Sequence, residues 1–292
     1  MKVGRRDVKV SSPDKVLFPE IGLTKTGLAE YYAAVAELSL PHLRDRPLNL
    51  NVYPAGIENK GFFQQHASDH FPDWVDRVTV PKQGGSVVHV MANRADTLVY
   101  LAGQNAVTLH GWPSRADRLD QPDRMVFDLD PPEGDFGPAR TAALALGELL
   151  RELGLEPFAM TTGSKGIHVV VPLQRRQKHP AVRSFARGVA EKLIEREPEL
   201  VTLEWYKDKR GGRILIDVRA TRGMSVVAPY SVRAKPEAPV AAPLPWEELS
   251  DEKLTARRYT VANVLDRGPD PWSDISRAAR ALAEPSKRLE RI

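Results

Sequence analysis

The segment Arg124 to Pro132, RMVFDLDPP, constrains this chain more than any other. Met125, Val126, Phe127 and Leu129 predict a strand, and Pro131 and Pro132, which cannot donate to a sheet ladder, stop it. Asp128 and Asp130 are two apart, so both carboxylates leave the same face, with Cα atoms roughly 6.6 Å apart at the usual strand rise. Two like charges at a strand end are costly unless a cation lies between them. The Asp-x-Asp spacing alone is ordinary, and a pair of solvated carboxylates is the plain alternative. The apolar strand and the proline stop give it meaning.

The surrounding pattern predicts an α+β fold, with hairpins instead of a regular βαβ alternation. PLNLNVYP (Pro47 to Pro54), SVVHVM (Ser86 to Met91) and AVTLHGW (Ala106 to Trp112) read as strands, with a helix over Ala95 to Gln104 before the third. PFAMTT (Pro157 to Thr162) and IHVVVPL (Ile167 to Leu173) are separated by Gly163-Ser164-Lys165-Gly166, a hairpin spacing. RILIDV (Arg213 to Val218) is a further strand. Thr24 caps a helix that Pro41 is expected to stop. Apolar stripes predict helices from Pro138 to Gly154 and from Ala181 to Arg196, and two short ones are expected around Val261 and Ala279. Ala234 to Pro245, with four prolines, reads as an extended crossing segment. No composition break divides the chain. One domain over 1–292 is expected, within which an N-terminal part to about 120 packs as a lobe and a catalytic part occupies about 121–292.

Composition narrows the chemistry. There is no cysteine, which excludes disulfides, thiol nucleophiles and cysteine-bound metal, so any metal is held by carboxylates, histidines or carbonyls, and magnesium or manganese is favoured. No apolar run approaches a membrane span and the first residues lack a signal peptide's apolar stretch, so a soluble cytoplasmic protein without membrane contact is expected. The net charge is only +4, but Trp205 to Lys235 holds eight Lys or Arg against Asp208 and Asp217. A basic block around one strand-borne acid suggests a polyanionic ligand; a solvated basic surface is the alternative.

Asp217 ends the apolar RILID run and is the best third ligand for a two-metal site, although taken alone it reads more readily as the ion-pair partner of Arg213 or Arg219. The GSKG turn offers successive N–H groups, the Ser164 hydroxyl and the Lys165 ammonium to phosphate oxygens, with His168 close by. It is neither a Walker loop nor a nucleophile elbow. Phe62, Phe63 and His110 are, singly, more often core residues than base- or sugar-contacting groups.

In order, FDLDPP, TTGSKGIHVVVPL, ILIDV and APYSVRAKPEAPVAAPLPWEEL, together with SPDKVLFPE, GFFQQH, PDWV and LHGWPSR, resemble the polymerase domain of bacterial ligase D, of the archaeo-eukaryotic primase superfamily, which acts in non-homologous end joining. The resemblance covers nearly the whole chain. It implies a primase-like α+β fold with antiparallel and mixed sheets flanked by helices. It makes Asp128, Asp130 and Asp217 the catalytic ligands of two Mn²⁺ or Mg²⁺ ions, with NTP or dNTP as substrate. It places Phe63 under the base, His110 near the sugar, Thr162 near the 2′-hydroxyl, and Lys165, His168 and Arg233 on the phosphates, with Ser164 in the same nucleotide-binding set. Lys15 and Lys25 match the grip on a DNA 5′-phosphate, and Phe62 and Arg210 are assigned to further DNA or phosphate contacts. The implied function is primer-extending, template-directed nucleotidyl transfer, favouring ribonucleotides, for gap filling and end processing in double-strand break repair. The implied partners are 5′-phosphorylated DNA gaps or ends, Ku, and an ATP-dependent ligase, separate or fused.

The chain departs from the pattern in three places. Thr162 stands where many relatives have Ser. Val218, Arg219, Ala220 and Thr221 follow Asp217 where the family commonly reads Tyr-Leu-Gln-Asn, and Ser12 replaces a frequent Asn. De novo primase activity, or a catalytically weak DNA-end-binding module, are the rival functions.

Overall fold

Arg124–Asp130 becomes the strand its pattern predicts, and its neighbours place it inside a sheet. It pairs antiparallel with Ile167–Pro172 on one side and with Ile214–Val218 on the other. The full order is Val201–Thr202, Ile214–Val218, Arg124–Asp130, Ile167–Pro172, Phe158–Thr161, Pro243–Leu244, and only the outer Val201–Thr202 pairing is parallel. Met125, Phe127 and Leu129 point to the face on which helices Gly137–Glu152 and His179–Arg196 pack, and all three are fully buried. Alternation then sends Asp128 and Asp130 to the opposite face.

The computed structural model describes residues 1–132, 135–219 and 222–292, which gather into two compact units. Unit 1 contains Met1–Asp117, Ser225–Ala241 and Tyr259–Gly268, and unit 2 contains Arg118–Met224, Ala242–Arg258 and Pro269–Ile292. The proline-rich stretch is where the chain passes from unit 1 to unit 2, at Ala241 and Ala242. Unit 1 has its own antiparallel sheet, in the order Val226–Val227, Ala106–Gly111, Leu48–Val52, Gly85–Val90, Arg77–Lys82, with Phe62–Gln64 also pairing Leu48–Val52. The fold class is therefore α+β, with one antiparallel and one mixed large sheet and, in unit 1, the two-stranded pairings Lys2–Val3 with Arg6–Asp7 and Val16–Phe18 with Leu23–Thr24. No helix among the described residues is long and apolar enough to cross a membrane.

Two expectations fail locally. Pro41 does not stop the first helix: Lys25–Ala34 closes at Val35, and a second helix, Ala36–Leu43, contains Pro41. In so short a helix the first turn has no intrahelical N–H bonds, so a proline in sixth place removes only the bond to the Glu37 carbonyl. The turn near Val261 is a 3₁₀ helix, Val264–Arg267, and no helix forms at Ala279; the last α-helix is Ala283–Leu289, with Pro285 in its first turn.

The Phe158–Thr161 and Ile167–Pro172 hairpin is locked against the acid-bearing strand by Gly166. A Cβ there would lie 2.1 Å from the Leu129 carbonyl oxygen, so the backbones approach more closely than any other residue permits. Gly166→Ala is expected to destabilise the chain by about 1–3 kcal/mol through overpacking, seen as a lower urea midpoint at unchanged slope.

Candidate active site

The register of unit 2 sets the acids face to face. Asp128 is directly opposite Asp217 on one side and His168 on the other, so three polar side chains form a row across three strands on one face of the sheet. Asp130 lies one pleat further along the same face, opposite Leu215. The Asp128 and Asp217 side chains are 15 % and 13 % exposed. His168 Nε2 is 3.4 Å from Asp128 Oδ1. Arg219 Nη2 is 2.7 Å from Asp217 Oδ2 and 3.6 Å from Asp128 Oδ2.

Burial raises the Asp217 carboxyl above the ordinary carboxylate range; Arg219 opposes the rise and the Asp128 charge adds to it, while His168 and Arg183 pull it down further. Burial likewise raises Asp130, reinforced by Asp128 and opposed by His168, Arg219 and Arg210. Such a group of acids needs a cation close by. Among the described residues no three His, Asp or Glu side chains are grouped as a ready metal site. Asp128 and Asp217 nevertheless already share one cation, the Arg219 guanidinium, and their hard oxygen donors suit Mg²⁺ or Mn²⁺. The residues therefore fit a divalent ion held by Asp128 and Asp217, with Asp130 next to them. Ala220 and Thr221, two of the family departures, lie outside the described residues.

The 162–166 turn is organised differently from a phosphate cradle. The backbone N–H groups of Ser164, Lys165 and Gly166 all converge on Thr162 Oγ1, at 3.4, 3.3 and 3.1 Å, so the hydroxyl shapes the turn. Side chains then carry any phosphate contact. Ser164 and Lys165 border a cavity of about 360 Å³ with Pro131, Pro132 and Arg257, whose Nε donates to the Ser164 carbonyl. Sequence reasoning missed Arg257, and no local motif around it would have revealed it. Arg210 is 9 % exposed, its guanidinium donates to the carbonyls of Glu204 and Trp205, and its charge acts on Asp130.

Unit 1 gathers a second set. Phe62 and Phe63 are 52 % and 49 % exposed although they sit on a strand, and the Phe63 ring meets His110 edge-on at 5.6 Å. His110 pairs with Asn49, which is buried, donates to Ser225 Oγ and leaves its Oδ1 without a hydrogen bond. Asn49 and Asn51 are the polar beats of LNLNV, a signal that the alternation contained and that pointed to this face. Arg233 follows Val232, whose carbonyl accepts from Thr108 Oγ1, and its own N–H donates to Pro239. Lys15 Nζ donates to the Pro54 carbonyl, and Lys25, at the start of helix Lys25–Ala34, is 4 % exposed. Burial, then the nearby Lys15 charge, lowers the Lys25 ammonium's pKa.

The family model for the LigD primase-polymerase domain matches residues 24–272. The chain is 33 % identical over 272 residues to the multifunctional non-homologous end joining protein LigD of Mycolicibacterium smegmatis, covering 92 % of this chain and 35 % of that protein. It is 33 % identical over 288 residues to the Pseudomonas aeruginosa protein of the same description, covering 96 % and 34 %. It thus spans about a third of the length of these relatives. The polymerase domain of Mycobacterium tuberculosis ligase D, solved in complex with DNA, superposes with a TM-score of 0.87 at 31 % identity, covering 94 % of this chain and 99 % of that one. With the acids on the central strands, the shared fold and the matched sequence in agreement, the chain belongs to the LigD primase-polymerase domain family.

Proposed function

We propose that the chain is a template-directed, primer-extending nucleotidyltransferase that fills gaps and processes ends of broken DNA with a preference for ribonucleotides, ahead of sealing by a ligase. The observation that carries this reading is the cross-strand pairing of Asp128 with Asp217, with Asp130 beside them, on a fold shared with ligase D polymerase domains. When bound, two Mn²⁺ or Mg²⁺ ions would activate a primer 3′-hydroxyl and neutralise the triphosphate. Asp128, Asp130 and Asp217 are the residues to hold them. His168 orients Asp128 through its Oδ1. Lys165 and Arg257 supply positive charge to phosphate oxygens, and Thr162 holds the turn that presents Lys165.

In unit 1, the exposed Phe62 and Phe63 rings suit stacking on unpaired bases, which every base permits. Lys25, buried with its charge close to that of Lys15, suits a phosphate at a helix N-terminus, and this reading makes the partner a 5′-phosphorylated DNA end. Ku and an ATP-dependent ligase belong to the same reading. One observation favours a catalytically weak end-binding module instead: the Arg219 guanidinium stands among the acids.

Extension of a primer across a gap in 5′-phosphorylated DNA, with Mn²⁺ and NTPs, is the expected activity, and Asp128→Ala is expected to abolish it. Dinucleotide synthesis without a primer would reassign the chain as a primase, and tight DNA binding without synthesis as an end-binding module. Replacing Lys15 and Lys25 with Ala is expected to flatten the plot of log affinity against log salt by about 1 to 2 units for 5′-phosphorylated ends; an unchanged slope would remove both from the interface. Because the folded state raises the Asp130 pKa, ionised Asp130 costs stability above that pKa. Asp130→Asn is therefore expected to raise the melting temperature at pH 7.5, and the gain is expected to shrink as pH falls through the raised value.

A further inference from the structure

We propose that Arg219 is a tethered cation that holds, between Asp128 and Asp217, the place a divalent ion takes, so that metal binding to this chain is an exchange in which the guanidinium is expelled. The inference rests on the reading of these acids as metal ligands. It goes beyond it by giving a role to a residue next to them.

Strand geometry puts the guanidinium there. Arg219 follows Asp217 by two residues, so its side chain leaves the same face, while Val218 between them pairs with Phe127. The Arg219 N–H donates to the Val126 carbonyl at 2.8 Å, which continues the ladder one step and fixes the base of the side chain beside the acid-bearing strand. From that position one nitrogen, Nη2, reaches the Oδ2 atoms of both acids, at 2.7 and 3.6 Å. The remaining oxygen of Asp128, Oδ1, is turned towards His168. Arg219 thus bridges one oxygen of each of the two acids that would hold the ion.

The fit of the guanidinium is incomplete in a way that favours exchange. A guanidinium binds a carboxylate best as a fork, through two aligned N–H bonds. Here the contact with Asp217 Oδ2 is an ion pair without hydrogen-bond alignment, and the buried Arg219 Nε has no hydrogen-bond partner. The arginine is held mainly by charge, and a divalent ion carries twice that charge on a smaller radius. The Arg219 side chain is 28 % exposed, which leaves it a direction in which to withdraw.

The test is calorimetric titration of Mn²⁺ into the full chain without nucleotide or DNA, so that the readout is binding and not turnover. Arg219→Leu is expected to bind Mn²⁺ more tightly by roughly tenfold or more, equivalent to about 1.4 kcal/mol. Arg219→Lys, which keeps the charge, is expected to stay near the wild-type affinity. Should Arg219→Leu fold poorly, Arg219→Gln keeps a polar side chain without the charge, and its rise in melting temperature on adding Mn²⁺ is expected to exceed that of the wild type. Equal or weaker affinity in the neutral variants, with binding still lost in Asp128→Asn, would overturn the exchange while leaving the acids as metal ligands. No Mn²⁺ binding in any variant would overturn both.

Discussion

The acid row of this chain depends on one cross-strand apposition. Antiparallel pairing of Arg124–Asp130 with Ile214–Val218 sets Asp128 opposite Asp217, and mostly buried carboxylates that close repel unless a positive charge lies between them. The sheet makes the apposition inescapable. Met125, Phe127 and Leu129 are fully buried beneath the helices, so a one-residue slip would exchange the apolar and acidic faces of the strand. The register that builds the core is the register that builds the acid row, and neither can be relaxed without the other.

Gly166 extends the same coupling to the neighbouring hairpin. Its missing Cβ lets the hairpin backbone lie against the Leu129 carbonyl, between the two acids of the strand, and the turn that leads to it is tied internally by Thr162 Oγ1. Lys165 is thereby presented by a loop whose shape is set by its own hydroxyl. A phosphate cradle of free N–H groups would need those donors unbound, so the turn contributes a positioned ammonium in place of a nest of amides.

Much of this was legible because period and punctuation are local. The proline stop after Asp130, the hairpin spacing around Gly163 to Gly166 and the apolar stripe of Gly137–Glu152 each needed only a short window, and each formed where it was read. What required the third dimension was less legible. Nothing near Arg257 signals that its guanidinium meets Ser164, because the partner lies 93 residues away. Nor does the basic block signal that Arg210 ties the carbonyls of Glu204 and Trp205 in its own loop, as a buried guanidinium must satisfy its donors. Pro41 misled for a different reason: sixth in a helix of eight residues, it forfeits only the bond to the Glu37 carbonyl, and the helix runs on past it. Arg219 was visible beside Asp217 as a possible ion-pair partner, but that it also reaches Asp128 follows only from the pairing of two strands nearly ninety residues apart.

The ionisable groups that burial displaces carry a sign as well as a location. Asp130 and Asp217 are pushed towards protonation in unit 2, and Lys25 is pushed towards deprotonation in unit 1. A neutral or hydrophobic ligand would relieve none of them. A cation brought to the acids, or an anion brought to the lysine, favours the charged form that the fold penalises, and the free energy recovered adds to binding. The proposed roles of Asp130 and Asp217 towards a divalent ion, and of Lys25 towards a phosphate, each agree with these directions.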